Sequence, residues 1–286
     1  MTAQPTEAPT LRPRKMDFPF TDAIPRYWVV GSPLLTHMVN GLNLLFPKGE
    51  RFFIRSVRTY MNEVRDPELR EQVRGFMAQE VRHGMEHERF FEILKSQGYD
   101  IDRFLEWYDR LAYQMIEPRF SPAARLSVTT ALEHYTAMFG ELALTDELPF
   151  AHPELRELLL WHAAEEIEHK SVCFDVLQEV DPRYSVRVVG LMLATAGLLA
   201  FWAMATADLM RQDRAMGIKP PKRSPEAGGG RFAGLRDAYT AFWERPTFRG
   251  MARGFVDFLR PGFHPDQHDN YALAEAYLRR IGRLEG

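Results

Sequence analysis

The sequence predicts an all-α protein, a four-helix bundle carrying additional helices, one of them long and apolar. Three observations lead there. Ser32-Pro33, Asp66-Pro67, Ser121-Pro122 and His152-Pro153 each put a candidate cap before a proline at the first helical position. Apolar residues three and four apart follow such starts, as in Val73, Phe76, Met77 and Val81. Paired alternating runs around a hairpin turn are missing, and Asn40-Gly41 is the sole Asn-Gly or Asp-Gly dipeptide.

Taken in order, residues 1–20 are rich in Pro and Thr, lack the apolar stretch of a signal peptide and read as a flexible tail. Residues 21–183 read as the bundle, with helices expected at about 33–46, 49–64, 67–97, 102–116, 122–146 and 153–180. The next helix, 184–215, contains Val188 to Ala207 without a charged residue, long enough to cross a bilayer. Basic residues flank it on both sides, and Ala196, Ala200, Ala203 and Ala207 give it small-residue spacing. Two readings stand: a helix packed in the bundle or at a homodimer interface, or one embedded in or lying on a membrane. Residues 216–232 mix Pro, Gly and charge and read as a linker, and 233–286 as a helical extension with a turn at Phe263-His264-Pro265.

Composition narrows the chemistry. The 286 residues carry 36 Lys and Arg against 39 Asp and Glu, a formal net charge of -3, so no basic field recruits nucleic acid. A single cysteine, Cys173, permits no internal disulfide and fits a reducing, cytoplasmic setting, with the inner membrane face as the alternative. It also removes thiolate-rich zinc sites and iron–sulfur clusters, so a metal here must be held by nitrogen and oxygen.

Two Glu-x-x-His motifs supply such donors, Glu80/His83 and Glu166/His169. Three residues apart on a helix means one face, so each motif aims a carboxylate and an imidazole the same way. Either motif alone is weak. Their partners strengthen the case. Glu50 precedes Glu80 by 30 residues, with the midpoint beside Asp66-Pro67; Glu133 precedes Glu166 by 33, with the midpoint between Pro149 and Phe150. In an antiparallel hairpin, residues equidistant from the turn stand at equal height. Each half of the chain thus presents Glu, Glu and His on one level, and two such half-sites face to face give the ligand set described for di-iron and di-manganese carboxylate bundles of the ferritin-like kind. Two iron ions are expected, with manganese or zinc as alternatives.

His162, four residues before Glu166, adds an imidazole on the same face; Phe76 holds the equivalent place in the first half. His162 is read as a seventh ligand, or as a hydrogen-bond donor beside the ligands. His87, one turn past His83, is open between a ligand, a group beside the ligands and a proton shuttle, and Glu141, two turns past Glu133, is expected beside the ligands. Glu165, Glu168 and His134 point away from the ligand face and read as structural or solvated.

The metal set with its added histidine resembles that of the p-aminobenzoate N-oxygenase type of di-iron enzymes, in ligand pattern only. The stretches NGLNLLFPKGERFFIRSVR, QEVRHGMEHERFF and FHPDQHD resemble the bacterial family of predicted metal-dependent hydrolases over most of the chain beyond residue 20. That second resemblance implies functional roles for Glu50, Glu80, His83 and His87. The expectation drawn is an O2-activating di-iron oxygenase or oxidase acting on a small organic substrate, with nitrogen as a candidate position. The alternatives are a two-metal zinc or manganese hydrolase and a metal-binding bundle without turnover. No flavin or nicotinamide fingerprint is present, so electrons must come from a separate donor or from the substrate.

Overall fold

A computed structural model of the chain describes residues 9–29, 31–146, 148, 151–219 and 253–284. It is all-α. The order is α1 (Pro33–Arg58), α2 (Pro67–Ser96), α3 (Ile101–Tyr108), a π-helical stretch (Asp109–Ile116), a 3-10 turn (Glu117–Arg119), α4 (Pro122–Asp146), α5 (Pro153–His169), α6 (Val172–Val180), α7 (Tyr184–Ala215), a 3-10 turn (Pro265–Gln267) and α8 (Tyr271–Arg280). Among the described residues, the only β feature is an isolated antiparallel bridge between Val29 and Ala151.

The caps act as the sequence suggests. Ser32 accepts from the Leu35 amide, Asp66 from Glu68 and Ser121 from Ala124. His152 differs: no side-chain bond caps α5. Helix α1 also differs from expectation, because it runs through Pro47 without a break. The proline removes the amide that would bond the Asn43 carbonyl, yet its fixed φ is compatible with a helix. In the second half, the expected helix 153–180 is two, interrupted at Lys170 and Ser171.

α1 pairs with α2, α4 pairs with α5, and the two hairpins pack around the site, with α6 continuing behind α2 and α4. α7 lies along α1 and α4 on the outside, and α8 covers α5. Two glycines set the approach of α7: a Cβ on Gly41 would stand 2.8 Å from Thr206 Oγ1, and one on Gly190 2.6 Å from the Ser127 carbonyl carbon. Buried charges tether its ends. Arg187 donates to the carbonyls of Arg260 and Phe263, while Asp213 accepts from Tyr27 and Tyr99 and pairs with His37. α7 is long and apolar enough to cross a membrane, but only 22% of its most apolar window is buried. Val189 and Leu199 stand more than half exposed.

Of the expected tail, residues 9–20 are packed rather than free, with Leu11, Arg14 and Phe18 all buried. A composition rich in Pro does not prevent docking when an apolar residue recurs to anchor it. The expected linker 216–232 beyond Lys219, and the extension up to 252, lie outside the described residues. The later part, 253–284, packs Phe258 and Phe263 onto α4 and α6 and Tyr277 and Leu278 into the main core.

Candidate metal centre

Each hairpin delivers its half-site at one level, as the midpoint spacing requires. Glu50 comes from α1, Glu80 and His83 from α2, Glu133 from α4, and His162, Glu166 and His169 from α5. None is more than 3% exposed. The halves interlock: His169 Nε2 lies 3.3 Å from Glu80 Oε1, and His83 Nδ1 lies 3.6 Å from Glu166 Oε1. One donor atom from each of Glu80, His83, Glu166 and His169 falls within 4.8 Å of all the others, and the same holds for Glu50, His87 and His162.

What these donors lack is a partner. Both oxygens of Glu50 and of Glu80, Glu133 Oε1, Glu166 Oε2, His83 Nδ1 and His169 Nε2 are buried with no hydrogen bond. Orphaned carboxylate oxygens are costly in a protein interior, and a cluster of them with imidazole lone pairs matches the donor chemistry of a divalent metal pair. The backbone makes room for it. A Cβ on Gly84 would stand 2.9 Å from Glu50 Oε2, so glycine at that place admits the carboxylate between α1 and α2.

Around the donors lies a shell that fixes their rings. Glu165 accepts from His83 Nε2 at 3.0 Å, leaving Nδ1 turned to the cluster. The same carboxylate accepts from Trp161 Nε1 and from Arg14, which also forks onto Glu168 at 2.6 and 2.9 Å. Gln79 donates to Glu168 as well. On the other side, Glu133 Oε2 is 3.0 Å from His169 Nδ1. Phe76 and Trp161 pack edge-on against His169 and His83, with ring centroids 4.9 and 5.0 Å apart.

Charge without a cation is poorly accommodated. Burial, then repulsion from neighbouring carboxylates, pushes Glu50 and Glu133 well above the usual range. Burial also raises Glu80. Glu166 goes the other way, to about 2, because His169, His162 and His83 outweigh its burial. Burial opposes charge on His83, but its bond to Glu165 and the nearby Glu80 carboxylate hold the imidazolium well above the ordinary value. Burial lowers His169 to about 4, and burial with neighbouring imidazoles lowers His162 and His87.

Among the remaining residues, one expectation needs correction, that for Glu141. Of the two readings for Glu165 and Glu168, structural or solvated, the structural one holds: α5 is enclosed on every side from Leu160 to His169 and has no water-facing stripe. Glu141 does not join the donors. Eight residues along α4 carry it about 12 Å from the level of Glu133, where it accepts from Asn270 at 2.9 Å and lines a small cleft with Lys170 and His268. His87 stands with the donors, hydrogen-bonded to both His162 and Asn43. His134, as expected, turns aside to the Gly254 carbonyl. Arg14 was missed entirely, since no periodicity marks its segment. The late His264 and Asp266 form a capped turn, with His264 Nε2 2.8 Å from Asp175 in the first turn of α6.

Fold and site together define a helical bundle with a buried carboxylate–histidine metal centre. The chain belongs to the family of predicted metal-dependent hydrolases, whose family model matches residues 12–269. No curated protein and no solved structure matches it.

Proposed function

We propose that the bundle is a ferritin-like metalloenzyme. In this reading Glu50, Glu80, His83, Glu133, His162, Glu166 and His169 hold two iron ions, and the protein is an O2-dependent oxygenase or oxidase of a small organic substrate. The observation that carries this reading is the convergence of partnerless buried carboxylate and imidazole atoms from both halves of the chain. Iron held there supplies Lewis acidity and electrons for the reduction of O2. The chain's own residues do the rest. Glu165 keeps a lone pair of His83 on the metal side, while Phe76 and Trp161 exclude bulk water from it. Enclosure so complete favours a small apolar co-substrate such as O2. The added imidazole of His162 resembles the N-oxygenase pattern and makes a substrate nitrogen the favoured target, an argument by analogy. Electrons beyond those of the substrate come from a separate donor.

The family description supports a second reading, a zinc or manganese hydrolase in which the same residues hold a metal pair that activates water. One experiment separates them. The metal-free protein is loaded anaerobically with Fe(II), the metal is counted per chain, and O2 uptake and the visible spectrum are followed on exposure to air. Parallel zinc and manganese samples are given ester, amide and phosphoester substrates. Uptake by the iron form alone supports the oxygenase; inert iron with hydrolysis by the zinc or manganese form overturns it. Metal content unchanged in both Glu80→Ala and His169→Ala sinks the site itself.

A further inference from the structure

The least expected contact at the centre is His87 Nε2, 2.6 Å from His162 Nδ1. Two imidazoles that close must share one proton, and the surroundings decide whose it is. The decision begins on α1. Asn43 Nδ2 donates to the Val39 carbonyl at 2.8 Å, one turn earlier, which fixes the orientation of the amide. Its Oδ1 therefore faces His87 Nδ1, at 2.7 Å. An amide oxygen only accepts, so His87 Nδ1 carries a proton. A neutral imidazole has one N–H, which leaves His87 Nε2 as an acceptor. His162 Nδ1 then has to be the donor, and the free lone pair of His162 falls on Nε2. That atom lies 2.6 Å from Glu166 Oε1 and 4.0 Å from Glu50 Oε1. A lone pair against a carboxylate oxygen is repulsive unless a proton or a metal ion lies between them, and a metal pair takes that place in the loaded protein.

We propose that His87 is a positioning residue and not a ligand: the run Asn43–His87–His162 fixes the His162 tautomer that offers Nε2 to the metal pair. The inference rests on the metal-centre reading above and specifies how its seventh ligand is made. Phe46 packs against both rings, tilted to His87 and edge-on to His162 with centroids 4.8 and 4.7 Å away, which covers the imidazole pair with an apolar group. The device exists once. Four residues past His169 stands Cys173, not a second histidine, just as Phe76 stands where a second His162 would be. The half with the extra imidazole thus takes its support from the other half.

The test uses the whole chain, stripped of metal and titrated with cadmium. Proton–nitrogen NMR correlations then report the tautomers and any cadmium coupling. Expected is coupling to His162 Nε2, a proton on His162 Nδ1 and no coupling to His87. His87→Gln, whose amide oxygen still accepts from His162, keeps two ions with affinity close to the parent. His87→Leu weakens binding by about 10–100-fold while both sites still fill at saturation. Cadmium coupling on His87, or loss of one ion at saturation in both variants, overturns the proposal. If His87→Leu fails to fold by circular dichroism, the coupling pattern of the unaltered protein still decides. An unaltered protein that binds no metal refutes the metal centre itself; two bound ions with coupling on His87 refute only the positioning role.

Discussion

Replacing Glu165 by glutamine separates ring orientation from simple packing. The carboxylate accepts from three donors: His83 Nε2 at 3.0 Å on Oε2, and Trp161 Nε1 at 3.0 Å and Arg14 at 3.1 Å on Oε1. Glutamine has the same shape but only one oxygen. Facing its NH2 towards Trp161 and Arg14 would set donors against donors twice; facing it towards His83 does so once. The amide oxygen therefore stays with Trp161 and Arg14, and the NH2 meets His83. Relief comes when the His83 proton moves from Nε2 to Nδ1, the atom that faces Glu80 and Glu166. That removes the lone pair a metal needs. Loss of such an outer partner weakens metal binding by about 10–100-fold, equivalent to about 1.4–2.7 kcal/mol. Stability of the metal-free protein changes by less, about 1 kcal/mol, because Arg14 retains both bonds to Glu168. Chelator-competition titration with zinc gives the first quantity and urea unfolding the second. Glu165→Gln binding zinc within about threefold of the parent would refute the claim that Glu165 sets the His83 tautomer. A stability loss above about 3 kcal/mol with unchanged affinity would make the residue structural only.

Three further outcomes follow from other features. Arg14→Met leaves Glu168 without its fork and lowers unfolding stability by about 3–5 kcal/mol in urea; a loss below 1 kcal/mol contradicts the buried pairing. Gly190→Leu forces α7 off α4 at Ser127 and lowers stability by about 1–3 kcal/mol, and a neutral result means the two helices are not in contact there. The third concerns pH. In the metal-free protein His83 is pushed above its ordinary value of 6.5, and Glu50 and Glu133 well above 4.5. The folded state then holds protons that the unfolded state has released, so stability falls as pH rises from about 6.5. His87, His162 and His169 are depressed and neutral in both states above that pH, so they add no slope. Metal takes the place of the protons and flattens the slope. Urea midpoints measured at several pH values, with and without zinc, check this; a flat metal-free curve is the contrary result.

The donors were legible in the sequence because an antiparallel hairpin converts spacing into height. Glu50 with Glu80, and Glu133 with Glu166, needed only a turn at each midpoint. His162 was legible for the same reason, as one more step on the same helical face. Glu165 was not. Reading it required knowing that α5 is enclosed on all sides, and a helix with no polar stripe gives no angular signal in its own residues. Trp161, one turn before it, was the available hint of burial. Glu141 misled because a shared face is not a shared level. Pro47 misled because proline marks helix breaks on average, while this one lies inside a helix packed along its length. Arg14 sits in a segment without periodicity, where only tertiary contact reveals a role.

That arginine ties together positions remote in sequence. It bonds Glu165 and Glu168 through its terminal nitrogens, while its Nε donates to the carbonyl of Arg283 at 2.6 Å. During synthesis, position 14 leaves the ribosome long before its acceptors exist: Glu165 follows 151 residues later and Arg283 269 residues later. The clamp behind His83 therefore closes late. A nascent chain can build its first hairpin with Glu50, Glu80 and His83 in place, yet it holds only half a donor set with His83 unclamped. By this geometry the complete donor set forms only once α5 has been made and joins the first hairpin.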